Sequence, residues 1–307
     1  VGPECRGSCS CGRHCHGGRV NNRERPRRRA AHIAFHKSMD KYSIERTCGE
    51  GTFAVVYAAR ASDGGRVAIK KLKQPVPSWE ACMTMRELRA FKTCGRHANV
   101  VGLRELVLAK QELYFVFEFL DSNLFELISK SPRPFGEDVV RRMAGDLLHG
   151  LQHIHSRGFM HRDLKPENVL CDRDGSCLKI GDLGLAREIR SRPPYTDYVA
   201  TRWYRAPELC LRTTVYASAV DVWAVGCIVG EIICRGPLLP GTSDVDMLVR
   251  TVQLIGGFDE SSWAEGVLLA RRSQIHLPPP CADGGPPLIE RRLKQLHAPA
   301  SAIALIR

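Results

Sequence analysis

The apolar residues of this chain change period near residue 121, and that change restricts the folds open to it. Between residues 40 and 120 the apolar positions fall in short alternating runs broken by Gly, Asp and Ser, which is the pattern of strands. Residues 42–48 and 54–61 flank a glycine-bearing turn, Ser62-Asp63-Gly64-Gly65 reads as a hairpin connection, and residues 67–72 read as a third strand. Residues 78–94 read as one helix: Ser78 suits the N-cap, and Met83, Glu87 and Phe91 recur at i, i+4, i+8. Strands return at 100–108 and 112–120. Beyond Asp121 the spacing becomes helical, with Val140, Met143, Ala144, Leu147, Leu148, Leu151 and Ile154 on one face. Residues 218–234 are apolar nearly all round, which predicts a helix buried in the middle of its unit. The expected fold is therefore α+β: a small strand-rich unit over 39–120, then a larger helical unit over 121–307. No internal repeat is visible, and the Pro/Gly-rich stretch 277–288 reads as a loop.

Charge sets the ends apart from the middle. Of the net +12, residues 1–38 carry +7, with nine Lys/Arg against two acids and almost no apolar periodicity. A basic tail attracts nucleic acid, anionic lipid or acidic proteins loosely, but a solvated, disordered extension is the simpler expectation. Met39 directly precedes the first ordered pattern, so it reads as a natural start and 1–38 as a stretch foreign to the native chain. Cys5, Cys9, Cys11, His14, Cys15 and His16 do not follow C-x₂-C spacing and have no second cluster, so zinc is not expected. The thirteen cysteines form no extracellular disulfide framework; Cys82, Cys227 and Cys234 sit inside apolar runs. No signal-peptide core opens the chain, and the longest charge-free apolar run, 222–230, is too short for a bilayer.

The chemistry is concentrated in His161-Arg162-Asp163-Leu164-Lys165-Pro166-Glu167-Asn168, followed by Asp182-Leu183-Gly184. An acid, a cation and an amide lie within six positions, with a second acid fourteen residues on. Phosphoryl transfer calls for this set: Asp163 to accept a hydroxyl proton and aim the oxygen, Lys165 to offset charge on the moving group, and Asn168 with Asp182 as hard oxygen ligands for Mg²⁺. Gly49-Glu50-Gly51-Thr52-Phe53-Ala54 is a glycine-rich turn that lets backbone approach phosphates, with Ala54 where a third glycine is usual. Val67-Ala68-Ile69-Lys70 follows at strand spacing, so Lys70 can grip α- and β-phosphates while Lys71 faces the other way. Glu87 is the expected ion-pair partner of Lys70. Thr196 and Tyr198 lie between Asp182 and Ala206-Pro207-Glu208 and are candidate phosphosites. Arg86, Arg162 and Arg187 could converge on a phosphate at Thr196, and Arg202 and Arg205 on one at Tyr198. His153 and His155 need no role beyond packing and capping.

Over about residues 40–307 these motifs, in this order, resemble the eukaryotic serine/threonine protein kinases. Thr201-Arg202-Trp203-Tyr204-Arg205-Ala206-Pro207-Glu208 is similar to the group that holds cyclin-dependent and mitogen-activated kinases. Residues 185–198 and Pro240-Gly241-Thr242-Ser243-Asp244-Val245-Asp246 are similar to the male germ cell-associated and intestinal cell kinase branch. The resemblance implies a two-lobed kinase fold with ATP and Mg²⁺ between the lobes. It implies Phe117 as gatekeeper, Glu118 and Leu120 as hinge groups for adenine, and Val56, Ala68 and Leu170 around the base. It further implies activation by an upstream kinase at Thr196 and Tyr198, and protein substrates with Pro directly after the Ser or Thr. A monomer in cytoplasm or nucleus is expected, with a ciliary role suggested by the branch. No cyclin partner, nucleic acid or membrane span is expected. Leu183 replaces the usual Phe, and the arginine that pairs with Glu208 in the family has no counterpart before residue 307, so the C-terminal unit reads as incomplete. Two other readings stay open: a nucleotide-binding scaffold without turnover, and a cyclin-dependent-type enzyme. A nucleic-acid binder would rest on the tail alone.

Overall fold

The computed structural model describes residues 33–192, 194–195, 201–277, 288–296, 298 and 300. The Cys/His set at 5–16, the candidate phosphosites Thr196 and Tyr198, and most of the 277–288 stretch lie outside the described residues. The first part is a six-stranded sheet of β1 (Ala34–His36), β2 (Tyr42–Glu50), β3 (Ala54–Ala61), β4 (Arg66–Leu72), β5 (Leu103–Ala109) and β6 (Glu112–Glu118). Its order is β1-β5-β6-β4-β3-β2, antiparallel throughout except that β1 runs parallel to β5. Alternation along β4 decides which way each residue faces. Val67 and Ile69 enter a small cluster with Ala59, Val107 and Val116. On the other face Ala68 and Lys70 line a cleft, while Lys71 turns away to Glu112 at 2.6 Å.

Two sequence expectations change here. The helix expected over 78–94 is two helices, α1 (Trp79–Thr84) and α2 (Arg86–Cys94). Ser78 does cap α1, accepting from the Ala81 amide. Met85 then adopts an extended backbone (ψ 130°) and ends α1 through an N–H bond to the Cys82 carbonyl. Met83 is consequently 38% exposed and does not share the buried face of Glu87 and Phe91. Methionine is a good helix former, so local propensity gives no warning of this break; tertiary context overrides it. The order expected to begin at residue 39 begins earlier: Ala34–His36 pairs with Glu105, Leu106 and Val107, and Ile33 is buried.

The second part contains β7 (Ser122–Asn123), α3 (Leu124–Lys130), α4 (Glu137–Ser156), β8 (Phe159–Met160), β9 (Val169–Cys171), β10 (Leu178–Ile180), β11 (Arg187–Glu188), α5 (Pro207–Cys210), α6 (Ala219–Cys234), α7 (Asp244–Ile255), α8 (Glu260–Arg272) and α9 (Leu288–Gln295). Asn123 caps α3 by accepting from the Glu126 amide. α4 buries Val140, Met143, Leu147, Leu151 and Ile154, the stripe that the periodicity marked. α6 is buried on most sides, though Val222 is exposed. One continuous apolar cluster joins α2, β5 and β6 to α4, α6 and α7. The cleft lies between the sheet and the short strands β9 and β10, where loops deliver the polar residues. No helix among the described residues is long and apolar enough to cross a membrane.

Candidate active site

Lys70 projects from β4 into the cleft and meets two carboxylates. Its Nζ lies 2.8 Å from Glu87 Oε1 on α2 and 2.9 Å from Asp182 Oδ1 on the loop after β10. Burial opposes the charge on Lys70, but Glu87 and Asp182 outweigh it and raise its pKa. Burial likewise pushes the Asp182 carboxyl up, yet the Lys70 ammonium dominates with its charge and hydrogen bond and holds it below the ordinary value. Glu87 is more enclosed, and burial pushes it up despite Lys70. Leu183, directly after Asp182, is fully buried in the turn that packs against α2. An apolar side chain at this position thus keeps Asp182 and Glu87 on one wall.

The opposite wall is the loop between β8 and β9. Asp163 Oδ2 takes a 2.9 Å contact from Lys165 Nζ and a 3.0 Å hydrogen bond from Asn168 Nδ2, which also donates to the Asp163 carbonyl at 2.8 Å. Asp163 Oδ1 and Asn168 Oδ1 have no protein partner among the described residues. The loop itself hangs from Asp221, a carboxylate of α6 that is 1% exposed. Asp221 accepts from the backbone N–H of His161 at 2.8 Å, the N–H of Arg162 at 2.7 Å and His155 Nε2 at 2.8 Å. This holds Arg162 at φ 70°, a left-handed conformation costly for a side chain with a Cβ. Asp182 is left-handed too, at φ 49°. His161 Nε2 lies 2.8 Å from the Gly181 carbonyl, tying the two loops together.

Val56, Ala68, Val101, Phe117 and Leu170 give the cleft an apolar end, and Lys70, Glu87, Asn168 and Asp182 a charged one. Glu118 also lines it; its carboxylate accepts from the Gly102 N–H and from Lys179 Nζ, both at 2.7 Å, which fixes the end of β6. Leu120 packs on the core beside the cleft rather than lining it. Gly49, Glu50, Gly51, Thr52 and Phe53 form the end of the β2–β3 hairpin and do not line the cavity. Glu50 is tied to Lys73 at 2.6 Å, and Phe53 is 62% exposed. A Cβ at Gly49 would meet nothing within 4 Å, and one at Gly51 only the Ala54 carbonyl at 3.8 Å. The fold therefore does not demand glycine there; the bare backbone is left for something else to approach.

The arginines divide. Arg162 bonds the Leu185 carbonyl at 2.8 Å and Tyr216 Oη at 3.1 Å, and Arg187 bonds Ser191 at 3.0 Å with its guanidinium over the Tyr195 ring. Arg86 is exposed, while its neighbour Arg89 reaches Glu188 at 2.7 Å. Arg202 and Arg205 both contact Asp244, at 3.3 and 3.1 Å. Sequence reasoning missed Val101 and Gly181 in the lining, Asp221 beneath the loop and Asp244 at the arginines. Of these, only Asp221 carries a signal, an acid in the first turn of a mostly apolar helix. His155 does more than pack, since it joins Asp221, and His153 Nε2 binds the Cys94 carbonyl at 2.7 Å.

Lysine between two acids, opposite an Asp-Lys-Asn trio, agrees with what comparison with known proteins finds. The protein kinase domain family matches residues 42–273. The chain belongs to the protein kinase family. This kinase is 44% identical over 272 residues to the serine/threonine-protein kinase ICK of Mus musculus, covering 88% of this chain and 42% of that protein. It is 45% identical over 241 residues to the serine/threonine-protein kinase MAK of Homo sapiens, covering 78% of this chain and 38% of that protein. It is 42% identical over 241 residues to the cyclin-dependent kinase F-4 of Oryza sativa subsp. japonica, covering 78% of this chain and 52% of that protein. The chain thus spans about half or less of these curated relatives.

Proposed function

We propose that this chain is an ATP-dependent serine/threonine kinase domain that transfers the γ-phosphoryl group to a protein hydroxyl. One observation carries the reading: Lys70 bridges Glu87 and Asp182 on one wall, while Asp163 on the other has one carboxylate oxygen without a partner among the described residues. Adenine enters the apolar end between Ala68 and Leu170, beneath Val56 and beside Phe117. The bare backbone at Gly49 and Gly51 approaches the phosphates, and Lys70 holds the α- and β-phosphates because Glu87 fixes its ammonium. Asp163 Oδ1 accepts the substrate hydroxyl proton as that oxygen bonds to the γ-phosphorus. The bond from γ-phosphorus to the bridging oxygen breaks, ADP leaves with that electron pair, and the proton passes on to solvent. Lys165 offsets charge on the moving group.

Asn168 and Asp182 fit Mg²⁺: the Asn168 amide gives its N–H to Asp163, so its oxygen is the free donor, and Asp182 is ionised with a half-exposed carboxylate. When bound there, the ion supplies positive charge to the phosphate oxygens. We further read the substrate as Ser/Thr followed by Pro, and activation as phosphorylation of Thr196 and Tyr198 by an upstream kinase. Arg162 and Arg187 would receive the first phosphate with Arg86, and Arg202 and Arg205 the second once Asp244 yields them. The likeness to MAK and ICK supports these readings, and it suggests work without a cyclin, as a monomer, in cytoplasm, nucleus or cilium. The test is transfer of radiolabelled phosphate from ATP to a Ser-Pro peptide. Wild type transfers and Asp163→Asn does not; nucleotide binding with no transfer by wild type would instead establish a scaffold.

A further inference from the structure

Residues 33–42 are tied into the first part of the fold at several places. Ile33 is 6% exposed and belongs to the same buried cluster as Cys82, Leu88 and Phe91. Phe35 stands edge-on to Trp79, the first residue of α1, with ring centroids 5.2 Å apart. His36 Nε2 and Lys41 Nζ reach Glu105 of β5 at 3.1 and 2.7 Å, and the Tyr42 hydroxyl donates to the same carboxylate. Met39 covers the small cluster on the outer face of the sheet. β1 and β2 occupy opposite edges of that sheet, yet only residues 37–41 connect them. The segment is a strap drawn across a strongly curled sheet, and its first strand presses on α1.

The break at Met85 gives this strap a consequence. A continuous helix over 78–94 would carry Glu87 rigidly. Here α1 and α2 meet at an extended residue, so the pose of α2 depends on what α1 rests against. Trp79 of α1 rests on Phe35. Glu87 is the second residue of α2 and the partner of Lys70. We propose that the strap is a positioning element for the nucleotide site: Phe35, acting through Trp79, holds α1 and α2 where Glu87 reaches Lys70. This rests on the reading of Lys70 as the phosphate-gripping residue. Phe35 itself is 40% exposed, so shortening it opens no cavity, and its effect should appear at the site rather than in the fold.

The full 307-residue chain carrying Phe35→Ala or Phe35→Tyr tests this, alone and combined with Glu87→Gln. Binding of a fluorescent ADP analogue is measured by titration, and KM for ATP and kcat by peptide phosphorylation. An edge-on aromatic pair is worth about three- to tenfold in an equilibrium, so Phe35→Ala should weaken nucleotide binding and raise KM by about that factor. Phe35→Tyr should restore both, and Phe35→Ala should add nothing once Glu87→Gln is present. The proposal is overturned if Phe35→Ala lowers the thermal midpoint yet leaves nucleotide affinity within about twofold, or if its effect is undiminished by Glu87→Gln. Should Phe35→Ala not fold, Trp79→Phe, which keeps a ring against Phe35, must retain wild-type affinity while Trp79→Leu loses it. Nucleotide shifts as expected with no transfer by wild type would sink the kinase reading and leave the strap standing. Transfer by wild type with unaltered kinetics in Phe35→Ala would do the reverse.

Discussion

Replacing Asp221 should damage both stability and turnover, and the sizes follow from its three hydrogen bonds. Asp221→Ala leaves the buried N–H of His161 and the partly buried N–H of Arg162 without an acceptor and removes the partner of His155. Each orphaned buried donor costs about 1–3 kcal/mol, giving about 4 kcal/mol for the pair. Arg162 can then relax from its left-handed backbone, recovering about 1 kcal/mol. The net loss of about 3 kcal/mol should appear in urea unfolding, with a thermal midpoint lower by about 6–10 °C. Asp221→Asn keeps one acceptor and should lose about half as much.

Turnover should fall further than stability, because Asp163 directly follows Arg162. A relaxed Arg162 carries Asp163 off line, and an error of about 1 Å at a reacting group costs about 100-fold in rate. Nucleotide affinity should hardly change, since Lys70, Glu87 and the apolar end of the cleft are untouched. Urea titration, peptide phosphorylation and nucleotide titration on the same preparations separate the three effects. If Asp221→Ala unfolds within about 1 kcal/mol of wild type, or keeps its kcat, then Asp221 does not hold this loop and the reasoning fails.

Gly150 on α4 lies against the backbone of the loop before β5, where an added Cβ would sit only 3.1 Å from Ile180 Cδ1 and closer still to the Asn99 carbonyl. Gly150→Ala should therefore destabilise by about 1–3 kcal/mol despite the better helix propensity of alanine, as chemical denaturation will show. Glu208 has no cation partner among the described residues, and burial pushes its carboxyl above the usual range. A carboxyl raised on folding lowers stability as pH climbs from its unfolded value near 4.5, so Glu208→Gln should be more stable than wild type at pH 7 and lose that advantage below about pH 4. Equal pH–stability curves for the two proteins would refute this.

What could be read from the sequence followed period and motif. β3, β4 and α4 announced themselves because each buries one face, so the apolar spacing is the structural spacing. Lys70, Glu87, Asp163, Asn168 and Asp182 were legible because their types and order are chemically restrictive. The misses share a different cause, which is dependence on distant partners. Met85 breaks a helix that its own propensity would continue. Ala34–His36 is three residues of strand within a basic stretch, and only its pairing with β5 makes it one. Nothing local to Arg202 and Arg205 signals Asp244, which reaches them from the start of α7. Asp221 resembles an ordinary helix-opening acid until the loop sixty residues earlier folds onto it.

The charges at Lys70 bear on metal dependence. One ammonium serves two carboxylates, Glu87 and Asp182, so the wall carries an excess negative charge in a partly desolvated place. Glu87 is enclosed, with its side chain 9% exposed, whereas Asp182 is half exposed at the cleft. A cation that balances the excess must therefore sit at Asp182, on the side of Asn168. ADP alone brings its full negative charge to that wall, whereas Mg²⁺ offsets most of it. Mg²⁺ should accordingly raise nucleotide affinity, and at 100 times the resulting Kd the ligand adds about 2.7 kcal/mol of stability. In a thermal-shift assay that is a rise of about 5 °C or more with ADP and Mg²⁺ together, and much less with ADP and a chelator. Asp182→Asn removes the excess charge and the ligand at once, so its response to ADP should no longer depend on Mg²⁺. An undiminished Mg²⁺ effect in Asp182→Asn would place the ion elsewhere and refute the charge argument.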